Sequence, residues 1–194
     1  MAVILSSVNS LSKHVMNAII VLVLFVLSFQ LVEFLVVSIQ NTFTGTEFVS
    51  LLFLPHGVRI PTVILYGARS GFFYLLLASS LLLFLSDEGV KIDVPVLLQT
   101  LAGAACVPLT LLLLRFDFGA QSISLKNVTS KTCRALVVLV VVSSLLNGLA
   151  QTAAIQLGNT SVDDLIVALK YTAGDILGSL MVFACAGYAL RRAL

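Results

Sequence analysis

The chain has 194 residues, of which 59% are hydrophobic and 10% charged, with a formal net charge of +2. A soluble domain carries about 25% charged residues, so water cannot be the solvent around most of this surface, and so small and dispersed a charge excludes a nucleic-acid-binding face. The apolar runs are continuous over about twenty residues and do not alternate, which excludes a membrane β-barrel and predicts an all-α, polytopic transmembrane helical bundle.

Six spans are predicted, in a single integral membrane domain over residues 1–194. The first, residues 15–39, follows Lys13 and has no small-residue cleavage site behind it, so it reads as a retained span and not a signal peptide. The second, residues 48–66, contains Pro55, Gly57 and Pro61. Each proline removes a backbone donor, so this span is expected to be kinked or broken, and to face protein rather than lipid. Gly67, Ala68 and Arg69 form a tight turn into the third span, residues 71–85. The fourth covers residues 94–114, the fifth 134–156 and the sixth 165–190, with no repeat or linker between them.

Loop charges orient these spans. Lys13, Arg69, Arg115, Lys126, Lys131, Arg134, Arg191 and Arg192 all fall on one face of a six-span arrangement. The other face carries Glu47, Asp87, Glu88, Asp93, Asp163 and Asp164, with Lys91 as its one basic residue. By the positive-inside rule the basic face is cytoplasmic, so both termini are expected there, in a bacterial inner membrane. The two faces are called the basic and the acidic side below. Asn127 and Asn159 each begin a glycosylation-type triplet, read as chance matches.

Four charged residues fall inside the predicted spans: Glu33, Arg59, Lys170 and Asp175. A charge at the centre of a span costs about 2.5–3.5 kcal/mol on insertion scales, so such groups face inward and pair. Counting residues along the spans puts Arg59 level with Asp175, and Glu33 level with Lys170, and two ion pairs are expected on that basis. Their role is either a polar site that binds a small ligand or ion in the acidic-side half of the bundle, or a lock on helix register. His56 lies one turn from Arg59 and can titrate or join it in binding an anion. Ser144, Asn147 and Gln151 form a polar stripe on the fifth span, suited to helix–helix hydrogen bonds or to a cavity wall, and Gln30 extends the polar face of Glu33. Gly174 and Gly178 frame Asp175 in a small-xxx-small contact motif.

No nucleophile–base arrangement, phosphate-binding loop or metal-binding helix motif occurs, so no catalytic residues, no cofactor and no enzyme activity are expected. His14 lies at the far end of the first span from His56, so no metal site is expected either. Cys106, Cys133 and Cys185 have no paired spacing and read as small packing residues.

Two stretches carry a family likeness. Residues 53–73, FLPHGVRIPTVILYGARSGFF, contribute Pro55, Gly57, Leu65, Gly67 and Gly71, and residues 171–180, YTAGDILGSL, contribute Tyr171, Gly174, Asp175 and Gly178. Together they resemble the early proline–glycine span and a late span of the MASE1 family of bacterial integral-membrane sensory domains. The family usually has a tryptophan before the proline, and this chain has no Trp. The resemblance implies a stand-alone sensory module that binds a small ligand and signals through a partner protein. Two other functions fit the architecture: a transporter or substrate-binding subunit, similar in size to those of energy-coupling-factor vitamin transporters, and a structural subunit of a membrane complex.

Overall fold

The computed structural model describes residues 2–37, 52–85, 93–114, 130–157 and 164–193. Both glycosylation-type triplets, residues 48–51 of the second predicted span, and the loop charges Glu47, Asp87, Glu88, Lys91, Arg115, Lys126 and Asp163 lie outside the described residues. The described residues form six helices: α1 (Ala2–Leu31, continued by a π-helical turn, Val32–Val37), α2 (Leu54–Tyr66), α3 (Ala68–Leu85), α4 (Val94–Leu114), α5 (Ser130–Gln156) and α6 (Asp164–Ala193). The chain is an all-α helical bundle. Five of the helices are long and apolar enough to cross a bilayer, over Leu11–Phe34, Ala68–Leu85, Val94–Leu114, Thr132–Gln156 and Leu165–Ala189.

Lipid as the solvent explains the surface. Leu11, Val15, Ile19, Val23 and Leu27 of α1 are all exposed, as are Leu112 of α4 and Leu165 of α6. In water such a surface would drive aggregation; in hydrocarbon it needs no cover. Five threonine hydroxyls within the spans are satisfied locally: Thr62, Thr100, Thr110, Thr152 and Thr172 each donate to the carbonyl four residues back. Asp93 caps α4, its Oδ1 accepting from the Val96 amide at 3.0 Å.

The sixth helix is different. α2 has 13 residues, about 20 Å of helix against a hydrocarbon core of about 30 Å. The expected break in the second span therefore falls before Leu54: Leu52 and Phe53 are non-helical. Pro55 sits in the first turn of α2, where its missing N–H costs nothing, and Pro61 lies inside the helix without ending it. Among the described residues, five helices are long enough to cross at full length, and the second span is the short, broken one.

The Phe53 amide donates to the Gly174 carbonyl at 2.9 Å. α6 starts at Asp164, so Gly174 lies about 15 Å along it at 1.5 Å per residue. α2 thus begins near the bilayer midplane and descends toward the basic side, parallel to α6. It packs on α1, α3, α4 and α6, while α1–α3–α4–α5–α6 form an open ring around it. Every residue from Leu54 to Ile60 is buried. Gly67, at φ 82, joins α2 to α3 with no other residue between them, as the tight turn at this glycine requires.

The Gly174–Gly178 pair makes the break possible. A Cβ at Gly178 would overlap the Phe53 carbonyl, so only glycine lets the entering backbone of α2 lie against α6. Gly178→Val should push α2 off α6 and lower stability by about 1–3 kcal/mol, the usual range for overpacking. A Cβ at Gly187 meets nothing within 4 Å, and Gly187→Ala should leave stability unchanged or raise it by up to about 1 kcal/mol. Thermal unfolding of the two purified variants in detergent checks the contrast.

Candidate functional site

The broken entry of α2 delivers its first two turns into the middle of the bundle. His56 and Asp175 are fully buried, and Arg59 is 5% exposed. His56 Nδ1 lies 3.3 Å from Asp175 Oδ2, and Arg59 Nη1 lies 3.5 Å from the same Nδ1. The expected Arg59–Asp175 association is thus made through His56 and not by direct contact. On the other edge of the imidazole, Nε2 lies 3.1 Å from Ser143 Oγ on α5.

Asn147 anchors the carboxylate, donating from Nδ2 to Asp175 Oδ2 at 2.7 Å. Gln151 lies one turn further along α5. Its Nε2 donates to Asn147 Oδ1 at 3.3 Å and to the Gln99 carbonyl of α4 at 3.0 Å. The network therefore links α2, α6, α5 and α4. Asp175 Oδ1, Ser144 Oγ and Ser179 Oγ are buried without a protein partner.

Arg59 is held in an unusual way. Its guanidinium lies over the rings of Phe25 and Phe53, at 5.7 and 5.5 Å from their centroids, within cation–π range. Its Nη2 lies 2.6 Å from where a Cβ at Gly103 would be, so the guanidinium would have to shift for any larger residue there. Its Nε has no partner. Arg59 also lines a cavity of about 400 Å³ among α1, α3 and α4, with Phe25, Phe29 and Phe53 as an aromatic wall. Ser79, Gln99 and Thr100 add polar groups, and the Ser79 hydroxyl has no partner. A side chain leans toward the N-terminal end of its helix, so Arg59 reaches back up α2, and the lining residues Gln30, Leu85 and Gln99 place the cavity in the acidic-side half of the bundle.

The sequence-predicted residues divide cleanly. Arg59, His56, Asp175, Asn147 and Gln151 come together in one network. Glu33 and Lys170 do not join it. Glu33 is exposed, in the π-helical turn that continues α1, and Lys170 is half-buried on α6, with no ion pair between them. The reason is the ring: α2 lies between α1 and α6, which are not close neighbours, so equal depth does not bring the two side chains within reach. Gln30, singled out beside Glu33, lines the cavity instead.

Sequence reading missed Ser143, the serine that meets His56. It chose Ser144, whose hydroxyl has no partner and whose carbonyl accepts from Thr172 at 3.4 Å. The two serines are neighbours in sequence, and only the rotation of α5 tells them apart. It also missed Phe25, Phe29 and Phe53, since nothing in an apolar run separates a cavity-lining phenylalanine from a lipid-facing one.

A half-length helix with a buried Arg–His–Asp series, inside a ring of five membrane-spanning helices, defines a multi-pass membrane protein with a polar centre at mid-depth. No protein-family model, curated protein or solved structure matches the chain.

Asn147 should prove coupled to Asp175. Asn147→Ala and Asp175→Ala should each destabilise the protein, and the double variant should cost less than their sum by about 0.6–2 kcal/mol. Denaturant unfolding of the four proteins in mixed micelles measures that difference; strict additivity would show the 2.7 Å bond to be energetically idle.

Proposed function

We propose that the protein is a non-enzymatic ligand-binding module of the bacterial inner membrane, a MASE1-like sensory domain that acts through a partner protein. One observation carries this reading: Arg59, whose buried Nε has no partner, lines an aromatic-walled cavity of about 400 Å³. A cavity of this size is within the range used for small-molecule sites, apolar with a few placed polar groups. A charge that served only to lock helices would have its donors consumed by its partner. Arg59 instead has Nη1 3.5 Å from His56 Nδ1 and an Nε with no partner. The distribution of loop charges supports an inner-membrane orientation with both termini cytoplasmic.

The cavity equally suits a substrate-binding subunit of a transporter, since it is lined by three of the helices and by the entry of α2. A purely structural subunit has no use for it. Co-purification separates the readings. In mild detergent a sensory module should bring down a kinase or cyclase, and a transport subunit an ATPase, each identified by mass spectrometry.

Arg59→Gln should abolish retention of any co-purified small molecule in native mass spectrometry, with the melting temperature falling only modestly. Equal loss of folded protein in Arg59→Ala and in Arg59→Ala/Asp175→Ala, with no ligand on either the wild type or Arg59→Gln, would leave Arg59 a structural residue.

A further inference from the structure

The hydrogen-bond pattern of the buried series permits two proton counts, and the difference bears on what the cavity holds. In the first arrangement His56 carries its proton on Nδ1 and donates it to Asp175, 3.3 Å away. Nε2 then accepts from the Ser143 hydroxyl at 3.1 Å. In the second, the Ser143 hydroxyl donates to the Val140 carbonyl, 3.2 Å away. Its oxygen is then free to accept from Nε2–H. The imidazole now has its proton on Nε2, and the bare Nδ1 accepts from Arg59 Nη1 at 3.5 Å. An anion that draws the guanidinium away leaves Nδ1 and Asp175 Oδ2 as two bare acceptors 3.3 Å apart, which repel until a proton comes between them. With that proton the second arrangement holds one more than the first, so converting between them takes a turn of the serine hydroxyl and one proton from water.

Charge tells which arrangement goes with which occupant. Arg59 and Asp175 together sum to zero in the first arrangement and to one positive charge in the second. Both are buried, where a net charge is costly unless it meets an opposite one. Of the series, Arg59 is the member that lines the cavity, and the Nε edge of its guanidinium is buried without a partner. That planar edge fits an oxyanion, and the wall of Phe25, Phe29 and Phe53 fits an apolar body attached to it. Asp175 Oδ1, buried and without a partner, leaves the carboxylate free to hold a proton on either oxygen.

The geometry points to a cavity that takes an oxyanion with an apolar body, binds it on Arg59, and takes up one proton on the His56–Asp175 pair as it binds. This rests on the ligand-binding reading above. The proton comes from water and is released when the anion leaves. The other titratable groups near the pair are Cys106 of α4 and Tyr171 of α6. α5 presents the neutral Ser143 and Asn147, and α1 and α3 present Phe25 and Ser79 toward Arg59. Neither Cys106 nor Tyr171 bonds to the series, so the proton count is assigned to the pair. By linkage, an anion that brings one proton with it binds tenfold more weakly for each pH unit above the range where the proton is already held.

Calorimetry on the full chain in a non-ionic detergent tests this, with benzoate and hexanoate as probes against their neutral amides. Titrations in Tris and imidazole buffers, which differ in ionisation heat, count the protons. The carboxylates should bind at least tenfold more tightly than the amides, with close to one proton taken up, and affinity should fall tenfold per pH unit in the alkaline range. Asp175→Asn should keep carboxylate binding and lose both the proton uptake and the pH slope, whereas Tyr171→Phe should keep all three. A nanodisc arm with and without phosphatidylglycerol identifies the source: a lipid phosphate occupying the site would weaken hexanoate binding, and a soluble ligand's site would be indifferent to it. Amides that bind as well as carboxylates, or carboxylates that bind with no proton uptake, overturn the inference and leave the ligand cavity standing. Folded protein that binds neither probe class nor phosphatidylglycerol overturns both.

Discussion

One buried cation and one buried anion on two different helices, joined by a single imidazole, set the terms for the rest of this fold. Arg59 and Asp175 are both buried, and neither is in contact with the other. Leaving either without its counterpart would cost several kcal/mol, by the usual penalty for an uncompensated buried charge. The helices that carry them must therefore approach closely and hold register. The Gly174–Gly178 stretch provides the approach, because the backbone at Phe53 lies where side chains would otherwise be. Asn147 provides part of the register, by fixing the carboxylate from a third helix.

The same requirement accounts for the short α2. A full-length helix in this position would present side chains, not backbone, to α6 in its acidic-side half. Phe53, just before the start of α2, and Arg59 both line the cavity. The cost is a stretch of non-helical chain inside the bilayer, tolerable only where protein surrounds it. Leu52 and Phe53 meet that condition, half-buried, with the Phe53 amide bonded to α6 and its carbonyl accepting from His56 at 3.2 Å. The prolines fit the same scheme. Pro55 suits a first turn, and Pro61 falls in a helix whose neighbours on four sides hold it in place.

Much of this was legible in the sequence, and the unreadable part has a physical reason. Hydropathy and length locate five spans to within a few residues, because lipid imposes the same solvent on each. Intramembrane charge located Arg59, His56 and Asp175, because polar groups are too costly in hydrocarbon to be placed there idly. Residue counting gave depth but not azimuth. It put Glu33 level with Lys170 without showing that α2 separates their helices, and it could not choose between Ser143 and Ser144. Proline and glycine announced a break in the second span, but not its position before Leu54. That depends on where α6 offers a bare backbone. The aromatic wall was invisible, because in a membrane protein the core and the surface are equally apolar.

A direct Arg59–Asp175 pair would have been the simpler way to settle two opposite charges in a low-dielectric interior. Bidentate contact satisfies more donors and acceptors than the series does, and the Arg59 Nε and Asp175 Oδ1 now left over are each a cost. Both leftover atoms would be satisfied by pairing with each other's groups, yet the fold places His56 between them and backs it with Ser143. Stability alone does not explain the choice, since buried polar groups left short of partners are destabilising wherever they occur. A selection for helix register would favour the direct pair. What the series adds is separation. The cation keeps an unpaired edge on a cavity while the anion stays at a distance, so a change of charge at one end can be answered by a proton at the other. The imperfection of the network lies where an incoming oxyanion would complete it.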